Sequence, residues 1–488
     1  MTERAVEAAA IDAAPTDLFI GGQWRSARSG ARLAVEDPAT GETLTDVADA
    51  GAEDARQALS AASEAQPAWS TRPPRERGEI LRAVYERLIE RRDQLALLMT
   101  LEMGKALPES VAEITYSAEF FRWFSEEAVR IHGRYMVNPS GRGRIVTLKQ
   151  PVGPCVFVTP WNFPSAMGAR KIAPAIAAGC TIVVKPAQQT PLSMLALAAI
   201  LDEVGLPAGV LNVITSSRAA DVIEPLLKDP RTRKLSFTGS TSVGRRLVEQ
   251  SAHQLLRVSM ELGGNAPFLV FEDADLDAAV EGAMLAKMRN VGEACTAANR
   301  FLVAEAVAEP FTRALAARMS AQRVGRGTQE GVEVGPLIDR AARSRVQELV
   351  GDALEHGAKL LTGGSVIDGR GWFYEPTVLS EVPLAAKISE EEIFGPVAPV
   401  FTFSEEREAI ELSNRTEYGL VAYLYTRDLQ RALRVAEALQ TGMVGLNQGL
   451  ISNPAAPFGG VKQSGFGREG GFEGIEEYLE TKYLSVAL

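Results

Sequence analysis

Between residues 155 and 260 the chain alternates short apolar runs with stretches of helical periodicity. Cys155–Thr159, Thr181–Lys185, Val210–Ile214 and Lys234–Phe237 are the runs; Arg170–Ala178, Pro191–Val204, Ala220–Leu227 and a segment after Ser242 carry the helical spacing. Runs this short and this apolar are strands buried on both faces, so the pattern predicts a parallel sheet covered by helices, a doubly wound α/β domain. Ligands of such sheets bind outside the carboxyl ends of the strands, which directs attention to the loops Thr159–Pro164, Lys185–Thr190 and Thr238–Gly244.

A second alternating stretch runs from Pro267 to about Leu446. Strands are expected at Phe268–Phe271, Phe301–Val303, Val397–Phe403 and Val421–Tyr425, and helices near Phe311–Arg318, Ala342–His356 and Leu429–Gln440. No internal repeat links the two stretches, so they read as separate domains. Upstream, Ile20–Trp24 reads as a hairpin tip, Arg75–Lys105 as one helix with Ile80, Val84 and Leu88 on one face, and Val111–Ile131 as another. Arg144–Gln150 alternates apolar and polar residues between Gly-rich and Pro-rich flanks, the pattern of a half-exposed strand in a projecting arm. The tail Phe472–Leu488 has too few apolar residues for its own core and is expected to pack on another element or another subunit.

Composition narrows the function classes. The chain has 488 residues, 46% hydrophobic and 23% charged, enough for about three domains and too apolar for disorder. A net charge of -11 argues against phosphate backbones and anionic membranes, so no nucleic-acid partner is expected. The uncharged stretches Gln150–Ala169 and Ala438–Val461 are broken by prolines and glycines, and no membrane span is expected. Three cysteines (Cys155, Cys180, Cys295) and three histidines (His132, His253, His356) show no metal-ligand spacing, so neither a metal site nor a disulfide scaffold is expected. The first residues are acidic and lack an apolar signal core, which makes a cytoplasmic, reducing compartment the default.

Candidate chemistry then falls on a few residues. Cys155 and Cys180 begin buried strands, where free cysteine behaves as a small hydrophobe. Cys295 sits in a Gly-containing turn before a strand; it is either another inert buried thiol or a nucleophile, depending on what lowers its pKa. Glu261, at a strand end beside Gly263 and Gly264, is a general-base candidate or simply a capping carboxylate. Thr238-Gly-Ser-Thr-Ser-Val-Gly244 opens a helix after a strand and suits an anion, although it is neither GxGxxG nor a Walker loop. Lys185 ends a strand and could meet a ribose or phosphate, or only water.

In order, Pro160-Trp-Asn-Phe-Pro164, Lys185-Pro-Ala, Phe237-Thr-Gly-Ser-Thr241, Glu261-Leu-Gly-Gly264, Cys295 with Arg300, Glu392-Ile-Phe-Gly-Pro396 and Pro457-Phe-Gly-Gly460 closely resemble the signature segments of the NAD(P)-dependent aldehyde dehydrogenase superfamily. The resemblance extends from about Leu18 to the C-terminus, and the segments Gly449–Asn453, Gly467–Gly470 and Gly474–Tyr478 look most like its succinate-semialdehyde dehydrogenase branch. It implies two doubly wound α/β domains plus a small β oligomerisation arm: a cofactor domain at 1–130 and 152–262, a catalytic domain at 263–446, and an arm at 131–151 and 470–488. A homodimer or homotetramer is implied with it.

The resemblance also implies roles. Cys295 would attack the aldehyde, Asn162 and the Cys295 backbone N–H would hold the oxyanion, and Glu261 would activate water to hydrolyse the thioester. Glu469 would either assist a proton relay or act structurally. For NADP or NAD, Lys185 would contact the adenosine ribose, Gly239 and Ser240 the phosphates, and Glu392 the nicotinamide ribose, with Trp161 and Phe394 bordering the site. Gln188 stands where Glu is frequent; a neutral side chain does not repel a 2′-phosphate, which opens the site to NADP. Glu293 stands where Gln is frequent, and an anion there would raise the thiol pKa unless it points away. Arg170, Arg289 and Ser452 match positions that contact the far carboxylate of succinate semialdehyde, a task suited to the planar guanidinium fork. Glutarate semialdehyde, another aliphatic aldehyde, an inactive binding protein of the same fold and a Cys–His hydrolase are the alternatives.

Overall fold

Two parallel-cored sheets carry the chain, as seen in a computed structural model that describes residues 3–487. The first sheet is eight-stranded, and its core is five parallel strands in the order Arg257–Glu261, Lys234–Thr238, Cys155–Val158, Ile182–Lys185 and Leu211–Val213. The chain winds outward from Cys155–Val158 in one direction and then returns to its other side. That leaves a crevice between the loops that follow Cys155–Val158 and Lys234–Thr238, where a doubly wound sheet binds its ligand. Antiparallel strands close both edges: Leu18–Ile20 with Gln23–Arg25 at one, and Gly465–Phe466 at the other.

The second sheet has seven strands in the order Lys359–Thr362, Thr377–Ser380, Val397–Phe403, Ala298–Ala304, Ala266–Val270, Val421–Tyr425 and Met443–Leu446. All pairs are parallel except the first. Its core is continuous, with Phe268 stacked against Tyr425 at 5.0 Å between ring centroids.

A three-stranded antiparallel sheet stands apart, with Leu479–Val486 paired along its whole length to Arg144–Pro151, which also pairs Arg134–Val137. The tail therefore packs on an element of its own chain. Tyr135, Met136, Val137, Leu148, Tyr483, Leu484 and Val486 stay exposed on this sheet.

Where local pattern and structure differ, the cause is long-range. Arg75–Lys105 is not one helix but two, Pro74–Glu90 and Arg92–Met103, broken at Arg91, whose ψ of 13° leaves the helical range. Arg91 pairs with Glu203 at 2.7 Å, a contact across the fold that periodicity cannot register. The second expected helix starts earlier, at Leu107, with Pro108 in its first turn, and ends at Glu127. The acidic N-terminal stretch holds a helix, Glu3–Asp12, that buries Ala10 and pairs Glu7 with Arg326 at 3.1 Å. Among the described residues, no helix is long and apolar enough to cross a membrane.

Candidate active site

Glu261 ends the strand Arg257–Glu261, and Gly263 and Gly264 carry the chain from there into the second sheet. A Cβ on Gly264 would lie 2.5 Å from the Cys295 carbonyl oxygen, so only glycine lets the two segments meet. Cys295 precedes the strand Ala298–Ala304 and so stands at the amino end of its sheet, facing the carboxyl ends of the first. The turn leading to it is strained: Asn290, Val291 and Gly292 follow one another at φ 55°, 59° and 76°. A β-branched residue in that region costs energy that the surroundings must offset. Asn290 supplies part of the offset, its Nδ2 donating to the Glu293 carbonyl at 2.8 Å and to the Asn162 carbonyl at 3.0 Å.

Asn162 lies in the loop between Cys155–Val158 and the helix Ala166–Ala178, and its own Nδ2 donates to the Glu293 carbonyl at 3.0 Å. Asn162, Glu261 and Cys295 thus line one cavity of about 250 Å³, together with Trp161, Gly239, Ser240, Glu392 and Phe394. Burial pushes the Cys295 thiol up to about 12; Arg170 and Arg289 oppose the shift, while Glu392 and Glu261 add to it. Glu261 has neither carboxyl oxygen hydrogen-bonded among the described residues, and burial, then the charge of Glu469, raises its pKa well above the usual carboxylate range. A carboxyl that takes up a proton this readily, open to a cavity, suits a general base.

Glu293 is fully buried and is not among the residues lining the Cys295 cavity. Its Oε1 accepts the Ile338 N–H at 3.1 Å, and burial raises its pKa well above the usual carboxylate range.

The residues toward the other end of the cavity are of the kinds that hold a dinucleotide. Ser240 caps the helix Thr241–Ser251 with no side-chain hydrogen bond to the helix backbone, its hydroxyl meeting that of Ser242 at 3.3 Å, which leaves the first-turn amides available to an anion. A Cβ on Gly239 would lie 2.5 Å from the Phe237 ring, so the wall stays flat there. Glu392 accepts the Gly264 N–H at 3.1 Å, and burial raises it to about 7. Phe394 meets Trp161 edge-on at 5.4 Å. Lys185, buried at its strand end, is lowered to about 8 by desolvation, which Asp49 partly opposes; Gln188, three residues on, is exposed.

A second cavity of about 660 Å³ is lined by Phe163, Tyr116, Met288, Arg289, Leu450 and Ser452 among others. The Arg289 guanidinium lies over the Phe163 ring at 4.8 Å. Arg170 is sealed by comparison. It is 2% exposed, paired with Glu469, and stacked on Phe458 at 3.9 Å. Lys171 pairs with the same Glu469. Burial alone would raise Glu469, but Arg170 and Lys171 outweigh it and hold the carboxylate ionised.

Tyr116, Phe163, Lys171 and Asn290 were given no role from the sequence. Phe163 and Lys171 adjoin residues singled out there, and no local signal marks Tyr116.

The family model described as "Aldehyde dehydrogenase family" matches residues 24–484. A succinate-semialdehyde dehydrogenase of Paenarthrobacter nicotinovorans is 60% identical over 91% of this chain and 99% of its own. A glutarate-semialdehyde dehydrogenase of Pseudomonas putida is 51% identical over 96% of this chain and 97% of its own. Among solved structures, an NADP-dependent enzyme of E. coli superposes with a TM-score of 0.96 at 50% identity, covering 97% of this chain and 98% of that one.

Proposed function

The chain belongs to the aldehyde dehydrogenase family and is an oxidoreductase; from that premise we propose that it oxidises succinate semialdehyde to succinate with NADP or NAD. One observation carries the reading: Cys295, Glu261 and Asn162 share a cavity with Gly239, Ser240 and Glu392, and Phe163, next in sequence to Asn162, lines a second pocket that holds Arg289.

Cys295, as thiolate, adds to the aldehyde carbon. The oxyanion so formed takes hydrogen bonds from the Asn162 amide and the Cys295 N–H, donors each worth roughly 2.7–4 kcal/mol when fixed in place. The nicotinamide cofactor, when bound, supplies the hydride acceptor. Lys185, Gly239, Ser240 and Glu392 hold it, with Trp161 and Phe394 at the rim. Glu261 then takes a proton from water as that water attacks the thioester, and releases it toward the Glu469–Lys171 pair. Arg289 and Ser452 receive the distal carboxylate, while Arg170 stands between that pocket and Glu469.

A 660 Å³ pocket is roomy for four carbons, and a relative at 51% identity carries the glutarate-semialdehyde name, which makes the five-carbon homologue the second reading. The separate three-stranded sheet, with its exposed apolar residues, suits assembly into a homodimer or homotetramer. Buried free thiols at Cys155 and Cys180 suit a reducing cytoplasm.

Rates with succinate semialdehyde, glutarate semialdehyde and an uncharged aldehyde of similar length, each with both cofactors, test the reading. Highest kcat/KM for the four-carbon acid supports it, and preference for the uncharged aldehyde overturns it. Glu261→Gln should keep a first-turnover burst of reduced cofactor and lose steady-state turnover.

A further inference from the structure

Lys105, Glu109 and Glu113 recur at intervals of four around the start of the helix Leu107–Glu127, and all three side chains turn inward to the reacting loops. Lys105 is fully buried, its Nζ donating to Glu113 at 2.6 Å and to the main-chain carbonyl of Asn162 at 2.8 Å. Glu113 spends its other oxygen on the N–H groups of Ser165 and Ala166, at 3.0 and 3.1 Å, three and four residues beyond Asn162. Glu109 accepts the N–H of Asn290, the first left-handed residue of the turn that leads to Cys295. A charged side chain in so dry a place is costly unless its geometry is fixed by partners. Here the partners are the backbones of two loops from different domains, neither of which holds the other through secondary structure.

We propose that this row is a positioning device: Lys105 and Glu113 fix the Asn162 loop, Glu109 fixes the Asn290 turn, and together they set the separation of the two oxyanion donors. All three also line the 660 Å³ pocket; the role assigned to them is to hold the two loops, and an unchanged KM is what separates that role from direct contact with the aldehyde. The proposal rests on Asn162 being an oxyanion donor, as read above. A donor displaced by a fraction of an ångström binds the ground state as before and the developing oxyanion less well, so the loss falls on kcat.

The test is single-turnover formation of reduced cofactor in Lys105→Met, Glu113→Gln, Asn162→Ala and the double variant Lys105→Met with Asn162→Ala. Lys105→Met and Glu113→Gln are each expected to slow the burst by about tenfold or more, with KM for the aldehyde changed by less than about threefold. In the double variant the burst should be within about twofold of Asn162→Ala alone, because the pair acts through that residue. Thermal unfolding and cofactor binding check the fold. If Lys105→Met does not fold, Glu113→Gln, which can still accept both backbone N–H groups, carries the comparison. An unchanged burst in a folded variant, or additive losses in the double, overturns the proposal. An unchanged burst in Asn162→Ala beside a slowed one in Lys105→Met overturns it differently: Asn162 is then not the donor, and the pair acts elsewhere.

Discussion

The Arg170 guanidinium is shared between the carboxylate of Glu469 and the face of Phe458, 3.9 Å from its ring centroid, inside a site where nearly nothing of it reaches solvent. Arg289 makes no ion pair among the described residues, although Glu109 feels its charge; it rests on Phe163 at the wall of the larger pocket. The two arginines therefore answer differently to removal. Arg289→Ala should raise KM for succinate semialdehyde on the order of tenfold or more and leave an uncharged aldehyde of similar length nearly unaffected. Arg170→Ala also strips Glu469 of a partner and leaves a buried charge less compensated, so kcat should fall for both substrates. Equal behaviour of the two variants across both substrates would refute the distinction.

Cys295 should be alkylated slowly at neutral pH. Its thiol is pushed up to about 12, first by burial, so the thiolate fraction grows about tenfold with each pH unit below that value. Iodoacetamide labelling followed by mass spectrometry between pH 7 and pH 9 should show about that slope at Cys295. Cys155 and Cys180, with no exposed surface, should stay unlabelled while the protein is folded.

Gln188 decides cofactor preference if it faces the 2′ position. Restoring a carboxylate by Gln188→Glu should shift the ratio of kcat/KM values toward NAD on the order of tenfold, by repulsion of the 2′-phosphate. An unchanged ratio would mean that the residue looks elsewhere.

Glu293→Gln should stabilise the protein increasingly as pH rises. The folded-state pKa of Glu293 lies well above the ordinary 4.5, chiefly through burial, so the folded chain binds a proton that the unfolded chain gives up first. Stability is then lost as pH climbs from the ordinary value toward the raised one, and a neutral glutamine escapes that loss. Melting temperatures of the two proteins should converge near pH 4.5 and separate by pH 8. Catalysis should change little, since Glu293 does not line the Cys295 cavity and its Oε1 is held by the Ile338 N–H.

The core of both sheets was legible because short apolar runs leave little choice but buried strands: Cys155–Val158, Ile182–Lys185 and Val421–Tyr425 fall where the pattern put them. The strands Gly465–Phe466 and Met443–Leu446 and the helix break at Arg91 were not, for each depends on a partner far away in the chain. The site divides along the same line. Motifs marked Asn162, Glu261 and Cys295, and the fold brings them to one cavity. What the sequence hid is the support behind them, Lys105, Glu113 and Asn290, because ordinary polar residues gain meaning only from the backbone groups they reach. Arg170 illustrates the limit: its number in the chain marked it for the substrate, and its neighbour Glu469 is visible only in three dimensions.

Glu261 belongs to a strand whose outer neighbour, Gly465–Phe466, lies about two hundred residues further along the chain, and Glu469 follows directly after. During synthesis Glu261, with its strand, exists long before the segment that completes its surroundings. Until Glu469 leaves the ribosome, Arg170 and Lys171 have no buried anion, and the edge beside Glu261 has no cover. The order of translation thus leaves the pocket around Glu261 unassembled until Glu469 has been made.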